Sequence, residues 1–177
     1  MVTAELAVQV GLRWVHFVAG ITWIGLLYYF NMVQSPGFLK GLDGGTRAMI
    51  VTKLLRRQLN FFRWTALITV IAGVLLTVAI WGFEFAYVPA FFGTSRGISI
   101  TTGGLLALIM IINVWGIIWP NQKRVIRLTA EAAEKGQPAP PEAAKYGRRA
   151  RLASRANFGL SFPMLFFMAA ASHFPLF

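Results

Sequence analysis

The first long apolar run of the chain, at about residues 8–33, constrains its fold most, because it combines the length of a membrane span with two ionisable side chains. An α-helix needs about 20 predominantly apolar residues to cross a bilayer. Arg13 and His16 are three residues apart and so share a helix face. Ionisable groups at membrane depth are costly and usually functional, so this face predicts a site. Gly20, one turn after His16, leaves room beside the imidazole for a flat ligand or a close helix.

The low charge content of the sequence is typical of a membrane protein. Charged residues make up 13% of the 177 residues and hydrophobic residues 56%, whereas a soluble domain carries about 25% charged residues. Three further apolar runs follow at about 61–83, 98–119 and 157–174. We therefore predict an all-α fold, an integral membrane four-helix bundle, in which residues 1–177 form a single transmembrane domain. Asn60, Asn113 and Asn157 are then candidates for hydrogen bonds between helices.

The basic residues are concentrated in two connections, 34–61 and 120–156, each of which is also predicted to contain surface helices. Together the connections hold fourteen of the 17 Lys and Arg residues. This placement indicates that the basic residues act as membrane-topology signals. We therefore do not predict a nucleic-acid-binding surface, despite the net charge of +11. Both connections should be cytoplasmic and both termini periplasmic, in a bacterial inner membrane. The N-terminus lacks the pattern of a removable signal peptide, so we expect the first span to be retained.

The two histidines of the chain fall in the same outer half of this bundle. His16 lies about 8 residues inside the first span, or roughly 12 Å deep, and His173 lies near the outer end of the fourth. Histidines on facing helices are one way in which bundles hold a haem iron. Arg13, one turn from His16, is placed to pair with a haem propionate. The spacing thus suggests haem b, with His16 and His173 as iron ligands and Arg13 as a further cofactor contact.

Other readings of the histidines remain open. An isolated histidine in a helix is more often a hydrogen-bonded structural residue, and His173 is also consistent with a solvated position. A zinc or copper site is disfavoured, since two imidazoles without a carboxylate or thiol are too few ligands. The sequence has no cysteine, which excludes covalent c-type haem. Phosphate-loop, nucleophile-elbow and dinucleotide motifs are absent from the sequence.

Three motifs carry a resemblance to a known family: RWVHFVAGITWIGLLYYF, NVWGIIWPNQKRVI and RANFGLSFPMLFFMAAASHFP. Over nearly the whole chain the sequence resembles the membrane domain of the urate hydroxylase (urate oxidase N-terminal) family. The resemblance implies a bacterial inner-membrane redox protein, here a short four-span member without the cytochrome c domain of longer members. It also implies that His16 and His173 are the intramembrane histidines of the family, and that Asn121 and Gln122 form its loop motif.

These observations lead to three functional hypotheses. The first is a b-haem-binding electron-transfer or anchor subunit of a respiratory or photosynthetic membrane complex. The second is a cofactor-free structural subunit of such a complex, and the third is a urate-hydroxylase-like oxidoreductase acting by itself. In each case the expected partners are membrane lipid and, for the first two, other membrane subunits of a redox complex.

Overall fold

The computed structural model describes residues 3–34, 36–81 and 92–173, and all of the regular structure within these ranges is helical. This confirms the all-α prediction. In chain order the helices are α1 (Ala4–Tyr28), α2 (Pro36–Lys40), α3 (Gly44–Met49), α4 (Arg56–Trp81), α5 (Ser95–Asn113), α6 (Trp119–Glu134) and α7 (Pro141–His173).

Three helices begin at a polar residue that caps the free backbone N–H groups of the first turn. Thr3 accepts a hydrogen bond from the N–H of Leu6 before α1, and Thr94 accepts one from Gly97 before α5. Asp43 accepts from the N–H of Thr46 at 2.9 Å before α3. Hydrogen bonds from the side chain and backbone of Thr46 lower the pKa of the Asp43 carboxyl. These caps fix where each helix starts.

Three π-helical segments join or extend the α-helices, and sequence periodicity did not predict them. They follow α1 (Tyr29–Val33), connect α3 to α4 (Ile50–Leu55) and connect α5 to α6 (Val114–Ile118). In the last segment the N–H of Trp119 donates to the carbonyl oxygen of Val114, five residues back. This widened turn precedes Pro120, which has no N–H to donate and clashes with the carbonyl four residues earlier in a regular α-helix.

The helix therefore continues through Pro120, and the motif residues Asn121 and Gln122 lie in α6 rather than in a loop. The side-chain amide of Asn121 donates to the carbonyl of Ile117, one turn back in the same helix. This agrees with the prediction of a surface helix in the connection 120–156, and the π-helical turn removes the helix break that Pro120 otherwise causes.

Three helical stretches are long and apolar enough to cross a membrane: Ala4–Val33, Gly44–Ile80 and Ser95–Glu134. They contain the first and third predicted spans and residues 61–80 of the second. The fourth predicted span, 157–174, forms the second half of α7, which is not among the three stretches found in the described residues. Its polar and small side chains, such as Asn157 and Ser161, lower its apolar character. Three parts of the prediction lie outside the described residues. They are the end of the second span at 83, the end of the fourth span at 174, and the connection between the second and third spans up to residue 91.

The buried core lies toward the end of the molecule that carries the connections 34–61 and 120–156, which we call the basic end. Large side chains from α1, α4, α5 and α7 meet there; the fully buried ones include Trp23, Leu27, Phe62 and Met110. α7 approaches α5 closely at Gly103, where a Cβ atom would lie 3.1 Å from Cε of Met168. Large apolar side chains elsewhere are exposed, for example Trp14 at 68%. This arrangement suits a protein surrounded by lipid or by other membrane proteins.

Candidate histidine site

His16 lies on the face of α1 that packs against α4. Along this face Gln9 donates through Nε2 to the carbonyl of Ala79 at 3.2 Å, and Nδ1 of His16 lies 2.8 Å from the carbonyl oxygen of Thr69. The two contacts show that α1 and α4 run antiparallel, because the residue numbers rise along one helix as they fall along the other. The helix face predicted from Arg13 and His16 therefore packs against α4 at His16, which is half-buried, whereas Arg13 is exposed.

The hydrogen bond to Thr69 sets the tautomer of the His16 ring. A carbonyl oxygen only accepts, so Nδ1 of His16 must carry the proton and donate. In the neutral imidazole the lone pair then resides on Nε2. No hydrogen bond to Nε2 is present within the described part of the chain. Histidines that bind metals through one ring nitrogen almost always donate the other N–H to a carbonyl or carboxylate.

Gly73 of α4 makes room for the imidazole. A Cβ atom at this position would lie 2.9 Å from both Cε1 and Nδ1 of His16, but 4.0 Å from Nε2. The α4 backbone therefore contacts the ring on its Nδ1 side, and Nε2 is the ring atom farther from it. Sequence reasoning assigned the space beside the ring to Gly20, whose nearest neighbour is instead Cγ2 of Thr69 at 3.6 Å. Neither Thr69 nor Gly73 was identified from the sequence.

His173 is the last described residue of α7 and is exposed. Its Nδ1 lies 3.0 Å from the carbonyl oxygen of Ala169, one turn back in the same helix. The same argument applies as for His16: Nδ1 donates, and in the neutral ring Nε2 is available as a ligand. An open crevice of about 410 Å³ lies beside it, between the start of α5 and the end of α7. The residues lining this crevice are Thr94, Ser95, Arg96, Ala170, Ala171, Ser172 and His173.

Contacts between α1 and α7 show how the two histidines are placed along the bundle. Asn31 Nδ2 donates to Ser154 Oγ at 2.9 Å, and Ser161 Oγ donates to the hydroxyl of Tyr28 at 3.2 Å. The helices are thus antiparallel. His16 precedes Tyr28 by twelve residues and His173 follows Ser161 by twelve. At 1.5 Å per residue each histidine lies about 18 Å from the Tyr28–Ser161 contact, on the side away from the basic end.

The helix register therefore places His16 and His173 at a similar level along the bundle. The sequence suggested a mismatch, with one histidine about two turns deep and the other near the surface. The two estimates differ because α1 begins at Ala4 and extends beyond the last described turn of α7 at this end of the bundle. Depth counted from the end of each helix therefore overstates the separation of His16 and His173 along the bundle.

Acidic side chains near the predicted site residues would indicate a metal site made of protein ligands. Within the described ranges, no carboxylate lies within ion-pair distance of Arg13, and Arg127–Glu131 is the ion pair present, at 3.9 Å. The same ranges contain no group of three His, Asp or Glu residues that could hold a metal ion. A donor set of two imidazoles fits a macrocycle that supplies its own equatorial nitrogens, and it does not fit a site built wholly of protein ligands.

A buried amide pair lies nearer the core. Asn157, whose side chain is 0% exposed, donates through Nδ2 to the carbonyl of Met110 at 2.8 Å. Asn113 Nδ2 in turn donates to Oδ1 of Asn157 at 2.8 Å. These bonds confirm the prediction that Asn113 and Asn157 bond between helices, here between α5 and α7.

Comparison with known proteins identifies the family of the chain. The sequence model described as urate oxidase N-terminal matches residues 80–177. The matched part contains α5, α6, α7, the Asn121–Gln122 motif and His173, while His16 lies before it. Neither a curated protein nor a solved structure matches the chain. Since the match covers more than half of the sequence, the chain belongs to the urate oxidase N-terminal family.

Proposed function

We propose that the protein is a b-haem-binding electron-transfer or anchor subunit of a bacterial membrane redox complex, in which His16 and His173 would hold the haem iron through Nε2. One observation supports this most strongly. Each imidazole donates Nδ1–H to a backbone carbonyl, that of Thr69 or of Ala169, which leaves both Nε2 atoms as the metal-binding nitrogens. The similar level of the two rings along the bundle supports their acting as a pair.

The roles of the individual residues follow from this proposal. A bound haem supplies a one-electron couple between ferric and ferrous iron. His16 and His173 would hold it, while the carbonyls of Thr69 and Ala169 orient the rings. Gly73 allows α4 to contact the His16 ring without displacing it. Arg13, exposed one turn from His16, supplies a guanidinium for a propionate.

The membrane arrangement that we propose adds α7 as a fourth span. α7 is antiparallel to α1 and is bonded to α5 through the buried amide of Asn157. Its exposed side chains include Phe162, Leu165 and Phe166, which suit an apolar surrounding. The concentration of cations in the two connections favours a cytoplasmic basic end and periplasmic termini, in the inner membrane of a bacterium.

Absorption spectroscopy of the purified full-length chain tests the haem proposal. Produced with an adequate haem supply, the protein should show a Soret band and the visible bands of a low-spin, six-coordinate haem. His16→Ala and His173→Ala should each abolish the low-spin spectrum while the protein still inserts into the membrane. Gln9→Ala is the matched control, since it removes a contact between α1 and α4 on the same face as His16 and leaves the imidazole intact.

Two results would overturn the proposal: a wild-type protein without a Soret band, or a His16→Ala variant that keeps the low-spin spectrum. The first result would favour a cofactor-free structural subunit. One observation already supports that second candidate, because the His16 hydrogen bond to Thr69 joins α1 to α4 without any cofactor. Membership of the urate oxidase N-terminal family supports the third candidate, a urate-hydroxylase-like oxidoreductase, and turnover of urate by the purified chain tests it.

A further inference from the structure

Arg63 of α4 is surrounded by three indole rings near the basic end. Its guanidinium carbon lies 3.9 Å from the ring centre of Trp119, 5.3 Å from that of Trp64 and 5.4 Å from that of Trp115. Trp64 and Trp115 also contact each other edge to face, with ring centres 5.4 Å apart. We call Trp64, Trp115 and Trp119 the tryptophan cluster. It fixes the cation in place, since guanidinium groups stack well on indole faces.

A second cation approaches the same cluster without an accompanying carboxylate. Nζ of Lys123 lies 5.5 Å from the ring centre of Trp119. In the described part of the chain, the ion pair present is Arg127–Glu131, so neither Arg63 nor Lys123 is neutralised by an acidic side chain. Two positive charges therefore meet at one indole, and a negatively charged group at this place would stabilise both.

Hydrogen-bonding capacity at the cluster also points to an acceptor. Nε of Arg63 and Nε1 of Trp115 are both buried, and neither has a hydrogen-bond partner among the described residues. Both atoms only donate. Because buried donors without acceptors are costly, a group that brings acceptor oxygens to the cluster would relieve this cost.

The cluster lies at the level where apolar helix gives way to basic connection. Arg63 follows the basic connection 34–61 by two residues, and Trp119 ends the apolar run 98–119. Tryptophan rings at such a boundary lie at the level of the lipid headgroups. Basic pockets between helices on the cytoplasmic side bind the headgroups of anionic lipids.

We propose that Arg63, Lys123 and the tryptophan cluster form a binding site for the phosphate group of an anionic phospholipid. The two cations supply the charge, and the indoles contact the glycerol and upper acyl region. Phosphate oxygens reach the buried Nε of Arg63 and Nε1 of Trp115 only when the surrounding side chains shift, because both atoms are enclosed in the lipid-free protein. The site is independent of haem binding and rests only on the proposed orientation of the basic end toward the cytoplasmic leaflet.

Native mass spectrometry of the full-length protein in mild detergent tests this site. Phosphatidylglycerol should remain bound where phosphatidylcholine at the same concentration does not. Arg63→Gln and Lys123→Gln should each weaken phosphatidylglycerol binding about fivefold, the loss expected for one interfacial cation. Arg56→Gln is the matched control, because Arg56 is an exposed cation two turns away on the same helix and should bind lipid as the wild type does.

Several outcomes would overturn the proposal. Equal weakening by Arg56→Gln and Arg63→Gln would show a diffuse charge effect rather than a site. Displacement of the lipid by millimolar inorganic phosphate, with no preference for the phospholipid, would identify a free-anion site instead. If Arg63→Gln does not fold, Lys123→Gln decides the matter, because Lys123 is exposed and its substitution leaves the cluster packing intact.

Discussion

Replacing Gly73 by alanine tests the close contact between α4 and the His16 imidazole. The added methyl group would lie 2.9 Å from Cε1 and Nδ1 of His16, so the ring or one helix must move. Overpacking costs about 1–3 kcal/mol, and loss of the His16–Thr69 hydrogen bond adds about 0.5–1.5 kcal/mol. Alanine in a helix interior returns only about 0.5–1 kcal/mol relative to glycine. The steric and hydrogen-bond terms outweigh the gain from alanine, and we expect a net destabilisation of about 0.5–4 kcal/mol.

The assay is reversible unfolding in mild detergent, with the haem spectrum as a second readout. Gly11→Ala is the control, because a Cβ atom at that position meets nothing within 4 Å and should stabilise α1 slightly. A double-mutant cycle of His16→Ala and Gly73→Ala isolates the contact between the added methyl group and the imidazole. In the His16→Ala background the clash is absent, so Gly73→Ala should then be neutral or stabilising. A Gly73→Ala effect that is equally large with and without His16 would refute the steric argument.

Three further results are expected. Asn157→Ala should destabilise the protein by about 1–2 kcal/mol in the same unfolding assay, since it leaves the Met110 carbonyl without its side-chain donor; an unchanged stability would contradict this. A cysteine at Gly93 should react with an impermeant thiol reagent applied outside the cytoplasmic membrane and one at Gln137 should not; the opposite labelling would reverse the orientation. His16→Asn should keep the stability of the haem-free wild-type protein but lose low-spin haem in absorption spectra, and retention of that haem would exclude His16 as a ligand.

Apolar run length and side-chain spacing predicted much of the fold. The first three runs form helices of membrane-spanning length, and the spacing of Arg13 and His16 located a helix face that packs on a neighbour at His16. The pairing of Asn113 with Asn157 was also predictable, because buried amides in apolar helices need a partner on another helix. The run lengths and the spacing of Arg13 and His16 are properties local to one helix, and the amides are recognisable one helix at a time.

The features that sequence reasoning missed depend on more than one helix or on backbone geometry. Gly73 is important only because α4 is placed against His16 by the register between two helices, which no single run contains. Continuation of the helix through Pro120 depends on a widened turn at Val114–Ile118. The hydrogen-bond spacing of this turn cannot be detected from the hydrophobic periodicity of the sequence. The tryptophan cluster likewise joins α4 to the π-helical segment between α5 and α6 and to the first residue of α6.

The two main hypotheses for His16 differ in what they require of its second nitrogen. A purely structural histidine needs only the Nδ1–H bond to Thr69, and in the membrane arrangement that we propose its Nε2 lone pair would be an acceptor at a level where lipid provides no donor. Leaving a polar group unpaired in such surroundings costs about 1–3 kcal/mol. If haem is bound, His16 would give this lone pair to the iron and the cost would be removed. Asparagine reproduces the Nδ1–H donor but offers no nitrogen to iron, so His16→Asn separates the bond that joins two helices from the bond to a cofactor.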